Sequence, residues 1–194
     1  MPATGRIDLT NQFLIAMPGM ADETFAGSVV YLCEHNERGA LGLVINKPID
    51  IKLKNLFEKV DLTLDRQELA EQPVYFGGPV QTERGFVLHE KLGDDVASGY
   101  NSTMSVPGGL AMTTSKDVLE ALSGGAGPRR VLVTLGYSGW EAGQLENEIS
   151  RNGWLTVAAD PAVVFDTPIE QRYQRALSLL GIDPRMLSAE AGHA

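Results

Sequence analysis

Short apolar runs separated by glycine, proline and polar turns dominate the first half of the chain, a pattern that predicts strands. Residues 12–17 (QFLIAM) stop at a Pro-Gly pair, and 27–34 (GSVVYLCE) end in the polar turn 35–39 (HNERG). Residues 40–46 (ALGLVIN) follow at once, so the two runs predict a hairpin. Leu53, Leu56, Phe57 and Val60 recur at i, i+3, i+4 and i+7, which predicts a short helix over 53–60. The polar stretch 61–72 reads as a connection. Residues 73–76 and 85–89 read as two further strands around Gly77-Gly78-Pro79, and 91–101 as a loop.

Helical patterns enter beyond residue 110. Thr114, three residues before Asp117, reads as the N-cap of a helix carrying Val118, Leu119 and Leu122, closed by 123–128 (SGGAGP). The continuous apolar run 131–135 (VLVTL) predicts a strand covered on both faces. Gly136-Tyr-Ser-Gly139 then predicts a turn into a helix over 140–151, with Ala142, Leu145 and Ile149 on its apolar face. Residues 154–158 and 162–165 read as short strands. Thr167-Pro-Ile-Glu170 predicts a helix start with N-cap, proline at N1 and capping-box Glu, and that helix runs to Leu180 ahead of Gly181. No repeat or low-complexity linker divides the chain. The expected organisation is a single α+β domain over 1–194, with short flexible ends at about 1–8 and 185–194.

Composition narrows the function classes. The 194 residues are 43% hydrophobic, which excludes disorder, and carry 16 Lys+Arg against 25 Asp+Glu, a formal net charge of −9. That balance opposes general nucleic-acid binding, and Arg129-Arg130 has no aromatic interleaving to make it a basic patch. One cysteine, Cys33, excludes an intrachain disulfide. The N-terminus lacks a signal-peptide pattern, and no window approaches the roughly 20 apolar residues of a transmembrane helix, so a cytoplasmic location is expected.

Several constellations invite chemistry. Val131–Leu135, the following turn and the predicted helix resemble a nucleophile elbow around Ser138. The G-x-S-x-G pattern fails, however, because Trp140 stands where the second glycine belongs. Ser138 reads better as a helix cap, and only His35, His89 and His193 are present to serve as its base. Cys33 and His35 are two apart on a predicted strand and so share a face. With His89 they form a candidate metal set, although a lone cysteine in an apolar strand is more often a small buried hydrophobe. Gly77-Gly78-Pro79 marks a sharp turn or a close backbone approach, and nearby Thr82 and Arg84 could hold an anion. Glu141, Gln144, Glu148 and Arg151 read as a solvated helix face with a Glu148–Arg151 i, i+3 pair.

A series of ordered segments resembles the YqgE/AlgH family. These are 12–18 (QFLIAMP), 30–36 (VYLCEHN), 39–48 (GALGLVINKP), 76–80 (FGGPV), 84–89 (RGFVLH), 112–120 (MTTSKDVLE), 135–140 (LGYSGW), 144–146 (QLE) and 191–194 (AGHA). The resemblance covers nearly the whole chain. It implies an α+β domain whose mixed, bifurcated sheet forms a pseudo-barrel with helices packed outside. The family is associated with a proposed regulatory role in exopolysaccharide expression, with no assigned reaction, and its patterns allow Ala at the position of Ser138.

The expectation that follows is a non-enzymatic regulatory protein without cofactor or bound metal. It would bind a small molecule or a protein partner as a monomer or weak homo-oligomer. Its candidate cleft consists of Asn46, Gly77, Gly78, Arg84, His89, Trp140 and Gln144, polar, glycine and aromatic groups at predicted strand ends and turns. The competing readings are an enzyme, either a hydrolase at Ser138 or a metal-dependent one at Cys33/His35/His89, and a direct DNA-binding regulator. The last has neither a helix-turn-helix pattern nor a basic helix in its favour.

Overall fold

A computed structural model describes residues 8–20, 22–90 and 100–181. The expected terminal segments, apart from Asp8, and the expected 91–101 loop, apart from its last two residues, lie outside them. The strands are β1 (Gln12–Ala16), β2 (Val29–Asn36), β3 (Gly39–Val44), β4 (Pro48–Lys52), β5 (Pro73–Phe76), β6 (Val80–Glu90), β7 (Thr103–Val106), β8 (Leu110–Thr113), β9 (Val131–Glu141) and β10 (Trp154–Ala158). The helices are α1 (Leu53–Lys59), α2 (Gln67–Ala70), α3 (Asp117–Ser123), α4 (Gln144–Ser150), α5 (Pro161–Phe165) and α6 (Arg172–Leu179). None of these helices is long and apolar enough to cross a membrane.

The ten strands form a mixed α+β architecture, a mostly antiparallel sheet curled into a half-barrel. Its main path runs β10-β1-β2-β3-β9-β6-β8-β7, and β5 with β4 branches from β9. The branch point is the eleven-residue β9. Its first half pairs antiparallel with β6 (Val133 opposite Val87) and parallel with β5 (Thr134 opposite Tyr75). Its second half pairs antiparallel with β3 (Trp140 opposite Ala40), while Val80 at the start of β6 still pairs with Tyr137. One strand therefore belongs to two diverging wings, as the resemblance implied.

Period-two alternation feeds three cores from these wings. Phe13 and Ile15 of β1 and Tyr31 and Cys33 of β2 join Phe86, Leu88 and Leu132 in a cluster drawn from both wings. Val163, Val164, Ala176 and Leu177 of α5 and α6 complete it. The intervening Leu14, Ala16, Val30 and Leu32 face the other way, against Trp140, Leu145 and Trp154. On the second wing, Val87, Val131 and Val133 pack on Leu53, Phe57, Val118 and Leu122 of α1 and α3.

Several expectations require correction. The 131–135 strand does not turn into a helix at Gly136. Gly136, at φ 82°, lets β9 bend and continue to Glu141, and α4 begins only at Gln144. Residues 162–165 are helical, because the Asp160 side chain accepts the Ala162 N–H at 3.0 Å and Pro161 occupies the first turn. Thr167 does not cap α6. Its hydroxyl donates to Ala162 O, and a 3₁₀ turn over Ile169–Gln171 leads into the helix. Lys116, not Thr114, stands at the N-cap of α3. β4, β7, β8 and α2 were not expected at all.

The fork leaves no room for side chains. A Cβ on Gly136 would lie 2.4 Å from the Gly78 carbonyl oxygen, and one on Gly77 would lie 2.3 Å from the Gly136 oxygen. We therefore expect Gly136→Ala to destabilise the fold by more than about 3 kcal/mol, combining the left-handed penalty with an immovable backbone contact. Gly125→Ala, at φ 85° with nothing within 4 Å, should cost only about 1 kcal/mol. Urea denaturation of the two variants checks this, and equal losses would contradict the crowding argument.

Candidate functional site

The expected cleft residues divide among separate environments. Asn46 is a loop clamp: its Oδ1 accepts the Val29 N–H and its Nδ2 donates to Gly27 O, each at 2.9 Å. Gly77 sits inside the fork. Its N–H donates to Leu135 O, and its carbonyl accepts the Val44 N–H at 2.9 Å and the Ser138 hydroxyl at 3.0 Å. Gly78 presses on the Tyr137–Ser138 peptide. Arg84 is exposed, with long contacts of 3.4 Å to Gln81 and Thr114. His89 is buried on β6. Its Nδ1–H donates to Glu90 O at 2.8 Å, and its Nε2 accepts from Thr113 Oγ1 at 2.7 Å. Burial lowers its pKa, against the raising effect of the Glu90 carbonyl, and so favours neutral imidazole. Trp140 and Gln144, by contrast, line one cavity together.

The residues of the catalytic alternatives are also dispersed. Ser138 is fully buried within β9, and its hydroxyl is committed to Gly77. Cys33 lies in the core, where burial pushes its thiol up to about 12. The His35 Nδ1 accepts the Leu9 N–H at 3.0 Å, so its Nε2 carries the proton toward Glu146 Oε2 at 3.1 Å. Among the described residues, no three His, Cys, Asp or Glu side chains gather as a metal site would require.

The Trp140 cavity is about 320 Å³ and lies between β9, α4, β10 and the side chains of Met20, Asp22 and Phe25. The end of β9 supplies Trp140 and the start of β10 supplies Trp154, while α4 crosses between them with Gln144 and Glu148. Phe25 stacks on Trp140 (centroids 6.0 Å apart, planes at 26°) and meets Trp154 edge-on at 5.5 Å. The two indoles themselves meet edge-on at 6.1 Å.

Glu148 organises this group. Its Oε1 accepts both indole N–H bonds, from Trp140 at 3.0 Å and Trp154 at 2.9 Å. Its Oε2 accepts from Gln144 Nε2 at 3.0 Å, and Gln144 Oε1 in turn accepts the Glu141 N–H at 2.9 Å. The expected Glu148–Arg151 pair is absent from the ion pairs of the described residues. Two nearly buried indoles each need an acceptor, and a carboxylate on the facing helix serves both, so Glu148 turns inward. The charge is thus held by neutral donors against a wall of three aromatic rings, with Asp22 and Arg151 also lining the cavity. Sequence reasoning found Trp140 and Gln144 but missed Glu148, Trp154 and Phe25. The available signal was that the chain's only two tryptophans flank one short helix.

The AlgH-like family (DUF179) matches residues 13–185. The chain is 70% identical over 188 residues to a UPF0301 protein of Ralstonia nicotianae, covering 97% of this chain and 96% of the relative. It is 69% identical over 189 residues to one of Burkholderia ambifaria, covering 97% of each. The solution structure of AlgH from Pseudomonas aeruginosa is similar at a TM-score of 0.77 and 49% identity, over 100% of both chains. A crystal structure of a Corynebacterium diphtheriae protein shares the fold at a TM-score of 0.74 and 21% identity, over 95% and 93% of the two chains.

Removing the Glu148 carboxylate strands both indole donors. We expect Glu148→Ala to lose about 2–4 kcal/mol in urea denaturation, and Glu148→Gln, which keeps one acceptor, about half as much. A loss for Glu148→Ala within about 0.5 kcal/mol, typical of surface substitutions, would contradict this arrangement.

Proposed function

The chain belongs to the AlgH-like family, and we propose that it works as a cytoplasmic, non-enzymatic ligand-binding regulator whose ligand is a small organic cation held in the Trp140–Trp154 cavity. The observation that carries this reading is the Glu148 carboxylate, whose negative charge has no Lys or Arg partner among the described residues although it lines a cavity walled by Phe25, Trp140 and Trp154. Ammonium groups are attracted to tryptophan faces and to a nearby carboxylate alike. The lining side chains Asp22, Glu148 and Arg151 sum formally to −1, the sign that favours a cation. At about 320 Å³ the cavity falls at the lower end of the range for small-molecule sites.

Two observations support the non-catalytic side of the reading. Ser138 is inaccessible within β9, and Cys33 is held as a protonated thiol by burial. The net charge of −9 supports an influence on gene expression that runs through the ligand or a protein partner rather than through DNA contact.

Because the chain has only two tryptophans and both stand in this cavity, intrinsic fluorescence reports on it specifically. Titration with choline and spermidine should give a saturable change in tryptophan emission. In Glu148→Gln the affinity should fall about tenfold, equivalent to about 1.4 kcal/mol. No saturable response to either cation, or equal affinity in the variant, would refute the cation reading.

A further inference from the structure

A second charge stands apart from the tryptophan cavity. Arg172, the first residue of α6, is only 6% exposed. Its Nε donates to Thr167 O at 2.9 Å, and its Nη1 donates to Ile45 O. Its guanidinium carbon lies 5.2 Å from the centroid of the Tyr75 ring. Among the described residues, no carboxylate lies within ion-pair distance of it. Charged side chains are rarely this buried unless paired, and a guanidinium has five N–H donors, more than two backbone carbonyls consume.

Arg172 also lines a cavity of about 300 Å³, roughly ten water volumes. The wall is polar and apolar in about equal parts, with Phe165, Pro168 and Ile169 forming an apolar side beside the Tyr75 ring, and the exposed Glu170 lies at its edge. We infer that this cavity is a binding site for a small monocarboxylic acid with an apolar body, the carboxylate accepting hydrogen bonds from Arg172 and the hydrocarbon lying against Phe165, Pro168 and Ile169. Guanidinium and carboxylate are matched in planar, two-point geometry. Burial raises the Tyr75 pKa, although Arg172 opposes the shift, so its hydroxyl stays protonated. The like charge of Glu170 disfavours a dianion such as phosphate and leaves a monoanion as the better fit. The site is independent of the cation reading, since it shares no lining residue with the tryptophan cavity.

The test is calorimetric titration of the full chain at pH 7 with hexanoate, hexanol and inorganic phosphate, accompanied by NMR shifts and tryptophan fluorescence. Hexanoate should bind saturably, about tenfold or more tighter than hexanol, and move the Tyr75, Phe165 and Ile169 resonances. Tryptophan emission should not change, which separates this site from the other. Glu170→Gln should tighten hexanoate about threefold, and Arg172→Gln should weaken it about tenfold or more. The comparison with hexanol and the Glu170→Gln variant remain decisive if Arg172→Gln does not fold. Equal binding of hexanol, preferential binding of phosphate, shifts confined to the tryptophan cavity, or no binding of hexanoate would each overturn the inference.

Discussion

Everything in this fold depends on the backbone contact between Gly77-Gly78 and Gly136 on β9. β9 must pair with β5 and most of β6 along one half and with β3 and the start of β6 along the other, so two wings separate at a single strand. The separation requires a bend that does not end the strand, which Gly136 provides at φ 82°. It also requires the chain leaving β5 to cross at backbone distance, which the absence of side chains at 77 and 78 permits. Gly77 then joins the wings directly, by donating to Leu135 and accepting from Val44 and Ser138. The central core draws on both wings, so its packing follows from the geometry of this crossing.

Both candidate sites treat a charge in the same way. Glu148 is held by three neutral N–H donors, from Trp140, Trp154 and Gln144. Arg172 is held by two backbone carbonyls and the face of Tyr75. In neither case does an opposite charge from the described residues neutralise the group. Dipoles orient such a group and lower the cost of its burial without cancelling its charge. Each side chain is therefore fixed in place without an ion pair among the described residues to cancel its charge. The two sites also stand on different parts of the fold: α4 against β9 and β10 for the first, α5 and α6 beside β5 and β9 for the second.

Much of the fold was legible in the chain because local rules decided it. Short apolar runs bounded by turns placed β1, β2 and β3, the 53–60 spacing placed α1, and Gly181 marked the end of α6. Legibility failed where tertiary context overrode a local signal. Gly136 reads as a turn, yet pairing on both sides carries the strand through it. Residues 162–165 have strand-like composition, but Asp160 and Pro161 set a helix start. Gly77 and Gly78 read as a sharp turn or a close approach, and only the structure shows that they approach β9, about sixty residues away. Glu148 read as a solvated carboxylate because helix periodicity cannot reveal two indole donors arriving from separate strands. Arg172 gave no signal, since its burial depends on Thr167, Ile45 and Tyr75 meeting around α6.

Native-state hydrogen exchange along β9 tests the dependence on the fork most directly. If the wings are joined through Gly77 and Gly136, the protected amides on both sides of Gly136 exchange only through one cooperative opening. They then report the same free energy, equal to that of global unfolding. Exchange of the β3-paired half at a distinctly lower free energy, while the half paired with β5 and β6 stays protected, would show that the wings open separately and would contradict the account.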